Sequence, residues 1–201
     1  MNPKVYLSDR DKELKQIIKE IPEPSFQSTD DVFYDLCCCI IEQQIHYRRK
    51  VPVFNAIIES LSNKYPRPEN IRKLDPKIFS DKKISRNKYD SLLALSDYWL
   101  ENKLDEFDWQ KASDIEVRQM LSKIEGVGDW TIDMILLFTL GRTDIMPLGD
   151  YHLKIIISKV YGISHSNLKK QMKQISDQWQ PYRSTAVLYL LDWKSYVNKR
   201  T

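Results

Sequence analysis

The chain predicts an all-α protein, and three observations carry that prediction. Apolar residues recur at helical spacing in every long segment. Ser, Asp and Pro stand where these segments start, and Gly or Pro where they stop. Val-rich alternating strands and Asn-Gly hairpin signals are missing. At 201 residues, 42% hydrophobic and 29% charged, the chain has an ordinary globular composition. It is long enough for one good core or two small lobes.

Ser8 predicts the cap of a helix running through Leu14, Ile17, Ile18 and Ile21, stopped by Pro22 and Pro24. Ser28 to Asp31 resembles a capping box that opens a second helix. Its apolar face holds Val32, Phe33, Leu36, Ile40 and Ile41. A third carries Val51, Phe54, Ile57, Ile58 and Leu61, with Pro52 in its first turn, where a missing N–H costs least. Pro66, Pro68 and Pro76 divide 65–84 into short helices and turns. Arg86 to Glu101 reads as a longer helix with Tyr89, Leu92, Leu93, Leu95 and Trp99 inside. Ser113 and Glu116 form another capping box, starting a helix that leads to Gly126-Val127-Gly128. Thr131–Leu140, Leu153–Tyr161, Asn167–Gln178 and Pro181–Val197 complete about nine or ten helices. Repeats, low-complexity tracts and flexible linkers are missing, so 1–201 reads as a single domain.

Several classes are excluded. No apolar run approaches the ~18 residues of a membrane helix. The N-terminus runs into charged residues without a signal-peptide core, which predicts a cytoplasmic protein. Cys37, Cys38 and Cys39 are adjacent, so they match neither a disulfide framework nor a metal-cluster spacing, and read as small buried hydrophobes. His46, His152 and His165 lack zinc-ligand spacing. A net charge of +3 permits nucleic-acid binding without requiring it, so any basic surface must be local.

Residues 121–150 carry the most chemistry. Two of the five glycines, Gly126 and Gly128, bracket Val127 between helical patterns. Such a turn can adopt positive φ and press backbone N–H groups against a phosphate, a contact that reads no base identity. The same pattern also serves as a plain helix-capping turn. Asp150 lies one helix further on. It precedes Tyr151-His152-Leu153-Lys154, so a helix N-cap is one role open to it.

The wider pattern is more specific. Leu121-x-x-Ile124-x-Gly126-Val127-Gly128-x-Trp130-Thr131 is followed by an apolar helix, Gly141-Arg142-x-Asp144 and Pro147-x-Gly149-Asp150. Ile40-Ile41-Glu42-Gln43-Gln44-Ile45, Ile84-Ser85-Arg86-x-Lys88-Tyr89 and Trp179-Gln180-Pro181-Tyr182-Arg183-Ser184 add three further segments. In this order they resemble the helix–hairpin–helix DNA glycosylase superfamily, in particular its 3-methyladenine DNA glycosylase II branch, over about residues 30–195. Departures are Glu42 in place of a usual glycine, His46-Tyr47-Arg48-Arg49 in place of small residues, and Met134 in place of a tyrosine.

The resemblance implies two helical lobes with a DNA-binding cleft and a helix–hairpin–helix motif at about 114–140. It implies a monofunctional glycosylase of base excision repair that releases flipped-out alkylated purines. Asp150 would stabilise the cationic sugar and direct water. Trp130 stands where bifunctional relatives carry a Schiff-base lysine, and Trp130 cannot act as an amine nucleophile. Trp130, Met134, Gln43 and Tyr151 would line the base pocket, with Tyr189 and Trp193 weaker members. Gln44 would fill the gap left by the flipped base. Ser85, Lys88, Gly126, Val127, Gly128 and Thr131 would contact DNA. The carbonyls of Ser122, Ile124 and Val127 would hold a structural monovalent cation, Na+ or K+, with no cofactor required for the reaction. The partner would be double-stranded DNA with damaged bases, met by a monomer. A glycosylase for deaminated or mismatched bases, and a non-catalytic helix–hairpin–helix module, are the alternatives. Asp144 and His152 read as local hydrogen-bonding residues.

Overall fold

A computed structural model of the 201-residue chain describes residues 1–25, 28–43, 50–61, 63–163 and 166–198. The described residues contain α1 (Pro3–Arg10), α2 (Lys12–Glu20), α3 (Val32–Glu42), α4 (Lys50–Ser60), α5 (Pro68–Ile71), α6 (Lys77–Asp81), α7 (Arg86–Glu101), α8 (Asp114–Leu121), α9 (Asp129–Met134), α10 (Tyr151–Tyr161), α11 (Leu168–Asp177) and α12 (Arg183–Asn198), and no strand. None of these helices is long and apolar enough to cross a membrane. The chain divides into two compact units. Ser28–Leu140 form the central one, and Met1–Gln27 with Gly141–Thr201 form the terminal one.

The terminal unit packs α1, α2, α10, α11 and α12 together. Its start corrects the expected cap. Asn2 caps α1 through Lys4 N at 2.9 Å with Pro3 in the first turn, so Ser8 lies inside a helix. Asp11 then breaks the chain at φ −138, ψ 110 and caps α2. Asp11 is buried among five donors: two amides of α2, Tyr161 on α10, and Gln178 and Trp179 after α11. Its Oδ1 accepts the Glu13 and Leu14 amides at 3.0 Å each. Its Oδ2 accepts from Tyr161 Oη at 2.8 Å, Trp179 Nε1 at 2.8 Å and Gln178 Nε2 at 3.2 Å. A buried carboxylate needs such partners, because removing it from water without them is costly. Burial first, then the Asp11 carboxylate, pushes the Tyr161 hydroxyl well above the ordinary tyrosine range.

In the central unit, α3 buries Val32, Phe33, Leu36, Cys37, Ile40 and Ile41. That is the two-per-turn stripe of a helix facing a core. Asp31, rather than Ser28, caps it through Tyr34 N at 2.8 Å. Ser28 instead ties the start of the unit to its end, donating to Thr139 O at 2.7 Å. Thr139 Oγ1 in turn donates to Asp35 at 2.6 Å. Cys37 is buried and its thiol pushed up by that burial, whereas Cys38 and Cys39 are only half-buried. Pro52 lies in the first turn of α4, as its missing N–H requires. The helix expected over Thr131–Leu140 differs from expectation. It starts at Asp129, and after Met134 it widens into a π turn, Ile135–Thr139, closed by Leu140 N to Ile135 O at 2.9 Å. The wider turn lets Ile135, Leu136, Leu137 and Thr139 all be buried.

Candidate functional site

The central unit builds the hairpin from α8 and α9. Ser113 and Glu116 close a reciprocal capping box at the start of α8. The turn after it is closed by Ile124 N to Leu121 O and Val127 N to Ile124 O, both 3.1 Å. Ile124 and Val127 anchor the turn in the core. Gly126 sits at φ +84, and a Cβ there would come within 2.3 Å of Ser91 Oγ on α7. Gly128 caps α9 from extended backbone with no side-chain hydrogen bond, and a Cβ there would meet nothing within 4 Å. The first amides of α9 therefore lack the usual side-chain cap, which is the arrangement that receives an anion.

Two residues expected on DNA have other partners. Thr131 is 1% exposed, and its hydroxyl accepts from Gln43 Nε2 at 3.0 Å. Lys88 donates its ammonium to Ile41 O at 2.5 Å and to Gln43 O. It thus neutralises the carbonyl end of α3, where a cation is favoured. In this structure both side chains make internal ties. Gln43 Nε2 also donates to Gly126 O at 3.2 Å, so its amide nitrogen braces the hairpin. Ser85 is exposed at the start of α7. Gln44, His46, Arg48, Arg49 and His165 lie outside the described residues.

Trp130 and Met134 are both half-buried. Four positions apart on consecutive turns, they share one face. One residue earlier than Met134, Asp133 is buried and takes Arg118 Nη2 at 2.6 Å. This joins the two helices of the hairpin. Burial holds the Asp133 carboxyl above its ordinary value, against the opposing pull of Arg118. Nothing in local spacing announced that pair.

In the terminal unit, Asp150 is 9% exposed and caps α10, with Oδ1 accepting Leu153 N at 2.7 Å. The capping role is therefore realised. The loop before Asp150 is fixed by α12. Arg183 makes a two-pronged pair with Asp144 at 2.7 and 2.9 Å and also donates to its carbonyl at 3.1 Å. Ser184 Oγ accepts Ile145 N at 2.9 Å, and Ser184 N donates to Thr143 O at 3.0 Å. The Trp179–Ser184 segment thus positions the Asp150 loop. Tyr151 is 70% exposed beside Asp150. His152 Nδ1 lies 2.7 Å from Lys194 Nζ. Tyr189 is core, and Trp193 donates to Glu20 at 3.1 Å. Among the described residues no group of three His, Cys, Asp or Glu side chains could hold a metal ion.

Comparisons with known proteins agree with this fold. The sequence profile of HhH-GPD superfamily base excision DNA repair proteins matches residues 37–181. DNA-3-methyladenine glycosylase 1 of Schizosaccharomyces pombe is 27% identical over 198 residues, 95% of this chain and 85% of that protein. The Bacillus subtilis protein YfjP is 30% identical over 163 residues, 78% of this chain but only 56% of its own length. The solved structure of a Schizosaccharomyces pombe 3-methyladenine DNA glycosylase with abasic DNA superposes with a TM-score of 0.83 at 26% identity. It covers 98% of this chain and 97% of that one.

Proposed function

The chain belongs to the HhH-GPD superfamily of base excision DNA repair proteins, and on that premise we propose that it is a monofunctional glycosylase for alkylated purines. The relatives named for 3-methyladenine support the substrate class. The observation that carries the reaction is Asp150, a nearly buried carboxylate at the head of α10 whose loop is pinned by Arg183 and Ser184.

Alkylation at a purine ring nitrogen makes the base cationic and a good leaving group. The base must first leave the duplex stack. As the N-glycosidic bond breaks, its electron pair returns to the base and cancels that charge, while positive charge develops on the sugar. Asp150 stabilises that charge electrostatically. Water then bonds to C1′ and its proton passes to the carboxylate or to solvent. Trp130 offers a π face to the cationic base, worth about 0.5–2 kcal/mol. It has no amine, so the product is an abasic site in an intact strand. The hairpin's backbone amides hold a phosphate. Acting as a monomer, the protein needs no cofactor for this chemistry. A monovalent cation on the carbonyls of Ser122, Ile124 and Val127 fits the donor set, since neutral carbonyl oxygens suit a hard cation. Val127 N occupies one lone pair of the Ile124 oxygen and leaves the other.

The test is release of free methylated base from alkylated duplex DNA by wild type and Asp150→Asn. Asparagine caps helices as well as aspartate, so the variant keeps its fold. Its rate is expected to fall at least about a hundredfold. Wild-type release by Asp150→Asn overturns the assignment. Strand nicking with borohydride trapping overturns the monofunctional reading. A panel of alkylated, deaminated and mismatched oligonucleotides then reads what Met134 beside Trp130 selects.

A further inference from the structure

We propose that Lys194, held in place by His152, is a second phosphate contact, taking a backbone phosphate next to the nucleotide whose sugar Asp150 attends. The inference rests on the glycosylase reading for its ligand, duplex DNA, and on the terminal unit alone for its geometry.

Several lysines of this protein have carboxylate partners, as Lys4 with Glu23 at 2.5 Å and Lys111 with Asp108 at 2.7 Å. Lys194 is held differently, with its Nζ 2.7 Å from His152 Nδ1. An ammonium has only donors, so Nδ1 must be the acceptor and the imidazole neutral, with its proton on Nε2. That partner fixes the ammonium in space without supplying a negative charge.

The location matters as much as the partner. His152 is the second residue of α10, two positions beyond Asp150. A helix start is already electropositive and disfavours cations. Yet Lys194 is brought there from α12, and Lys154 donates to Gly149 O at 3.1 Å on the same turn. The Lys194 ammonium is thus held at the first turn of the helix that Asp150 caps. Tyr151, 70% exposed, lies at the same helix start. A nucleotide whose C1′ faces Asp150 carries a phosphate on each side, and an electropositive helix start is where such an anion is favoured.

The experiment measures affinity for a duplex bearing a stable abasic analogue across a range of salt, for wild type, Lys194→Ala, Lys194→Arg, His152→Ala and His152→Asn. Loss of one phosphate contact is expected to make the slope of log K against log salt shallower by about 0.9. That corresponds to about eightfold weaker binding near 0.1 M salt. Lys194→Arg keeps the wild-type slope. His152→Ala weakens binding, and His152→Asn, whose carbonyl oxygen replaces Nδ1 as acceptor, restores it. A wild-type slope in Lys194→Ala, or the same loss in Lys194→Arg, overturns the phosphate contact. Wild-type binding by His152→Ala, or no recovery in His152→Asn, overturns the anchoring role. These readouts need no base release. If the slope changes and no methylated base is ever freed, the glycosylase reading fails and the phosphate contact stands. If base is freed and the slope is unchanged, the reverse holds.

Discussion

Gly126 and Gly128 stand two residues apart in one turn and do opposite work. Gly126 has a backbone that favours glycine and a Ser91 side chain where its Cβ would be. Gly128 has backbone open to any residue and empty space around it. The first glycine is needed for the central unit to pack. The second leaves the start of α9 accessible. The same division runs through the rest of that unit. Thr131 and Lys88 face inward onto Gln43 and the end of α3, while Ser85 and Gly128 remain at the surface. The hairpin and its neighbours are therefore divided between scaffold and surface, and substitutions can separate the two.

The largest effect is expected for Gly126→Ala. Positive φ costs a non-glycine residue roughly 1–2 kcal/mol, and the clash with Ser91 adds a cost of overpacking, typically about 1–3 kcal/mol. A total near 3 kcal/mol would appear in denaturant unfolding. Ser91→Gly in the same chain removes the clash and should recover its cost, less the roughly 0.5–1 kcal/mol that glycine costs inside α7. No recovery would mean that Ser91 is not the obstacle. Next comes Lys88→Met. It strips a charge-assisted donor from two carbonyls at the end of α3 and should cost about 2 kcal/mol. An unfolding midpoint unchanged from wild type would show that this tie does not hold the end of α3.

How much was legible beforehand follows the same divide. Local chemistry was readable. The bounds of α7, the Ser113–Glu116 box and the Asp150 cap all depend on residues within one or two helical turns. Long-range satisfaction was not. The five donors around Asp11 come from residues 13, 14, 161, 178 and 179, and no window holds them together. Ser8 looked like the better cap because serine favours caps generally, but tertiary donors gave that role to Asp11. Lys88 and Thr131 show the same limit, since their internal partners lie far away in the sequence. Residue types that bind phosphate also satisfy helix ends and buried amides, and the sequence pattern is the same for both.

Arg118→Met probes the tie between the hairpin helices. Arg118 is partly exposed, 39%, against 10% for Asp133, so solvent screening reduces the worth of the pair to about 1–2 kcal/mol. The pH dependence has a definite sign. Burial raises the folded-state pKa of Asp133 above its unfolded value, so the folded state holds that proton more tightly. The resulting stabilisation is complete below the unfolded value, about 3.9, and is lost as pH rises through the folded one. Removing Arg118 removes a lowering influence and extends that window upward. The variant's deficit should therefore grow from acid to neutral pH. A deficit independent of pH would show that the cost lies in lost packing of the arginine stem.

Gly128→Ala should change stability least and sharpen the comparison most. Alanine is a poorer N-cap than glycine, which lowers stability by a few tenths of a kcal/mol or more. Replacing glycine where φ is compatible restricts the unfolded chain and returns about 0.4–1 kcal/mol. With φ at −100 and nothing within 4 Å of the new Cβ, the two terms nearly cancel. The melting temperature should stay within the error of wild type. Binding is another matter, because a methyl group at the mouth of the α9 amides stands where a phosphate oxygen must come close. Affinity for duplex DNA should fall without regard to lesion, since phosphate contacts carry no base identity. If Gly128→Ala binds as wild type does, the open glycine is only a capping turn, and the grip on DNA must come from elsewhere in the chain.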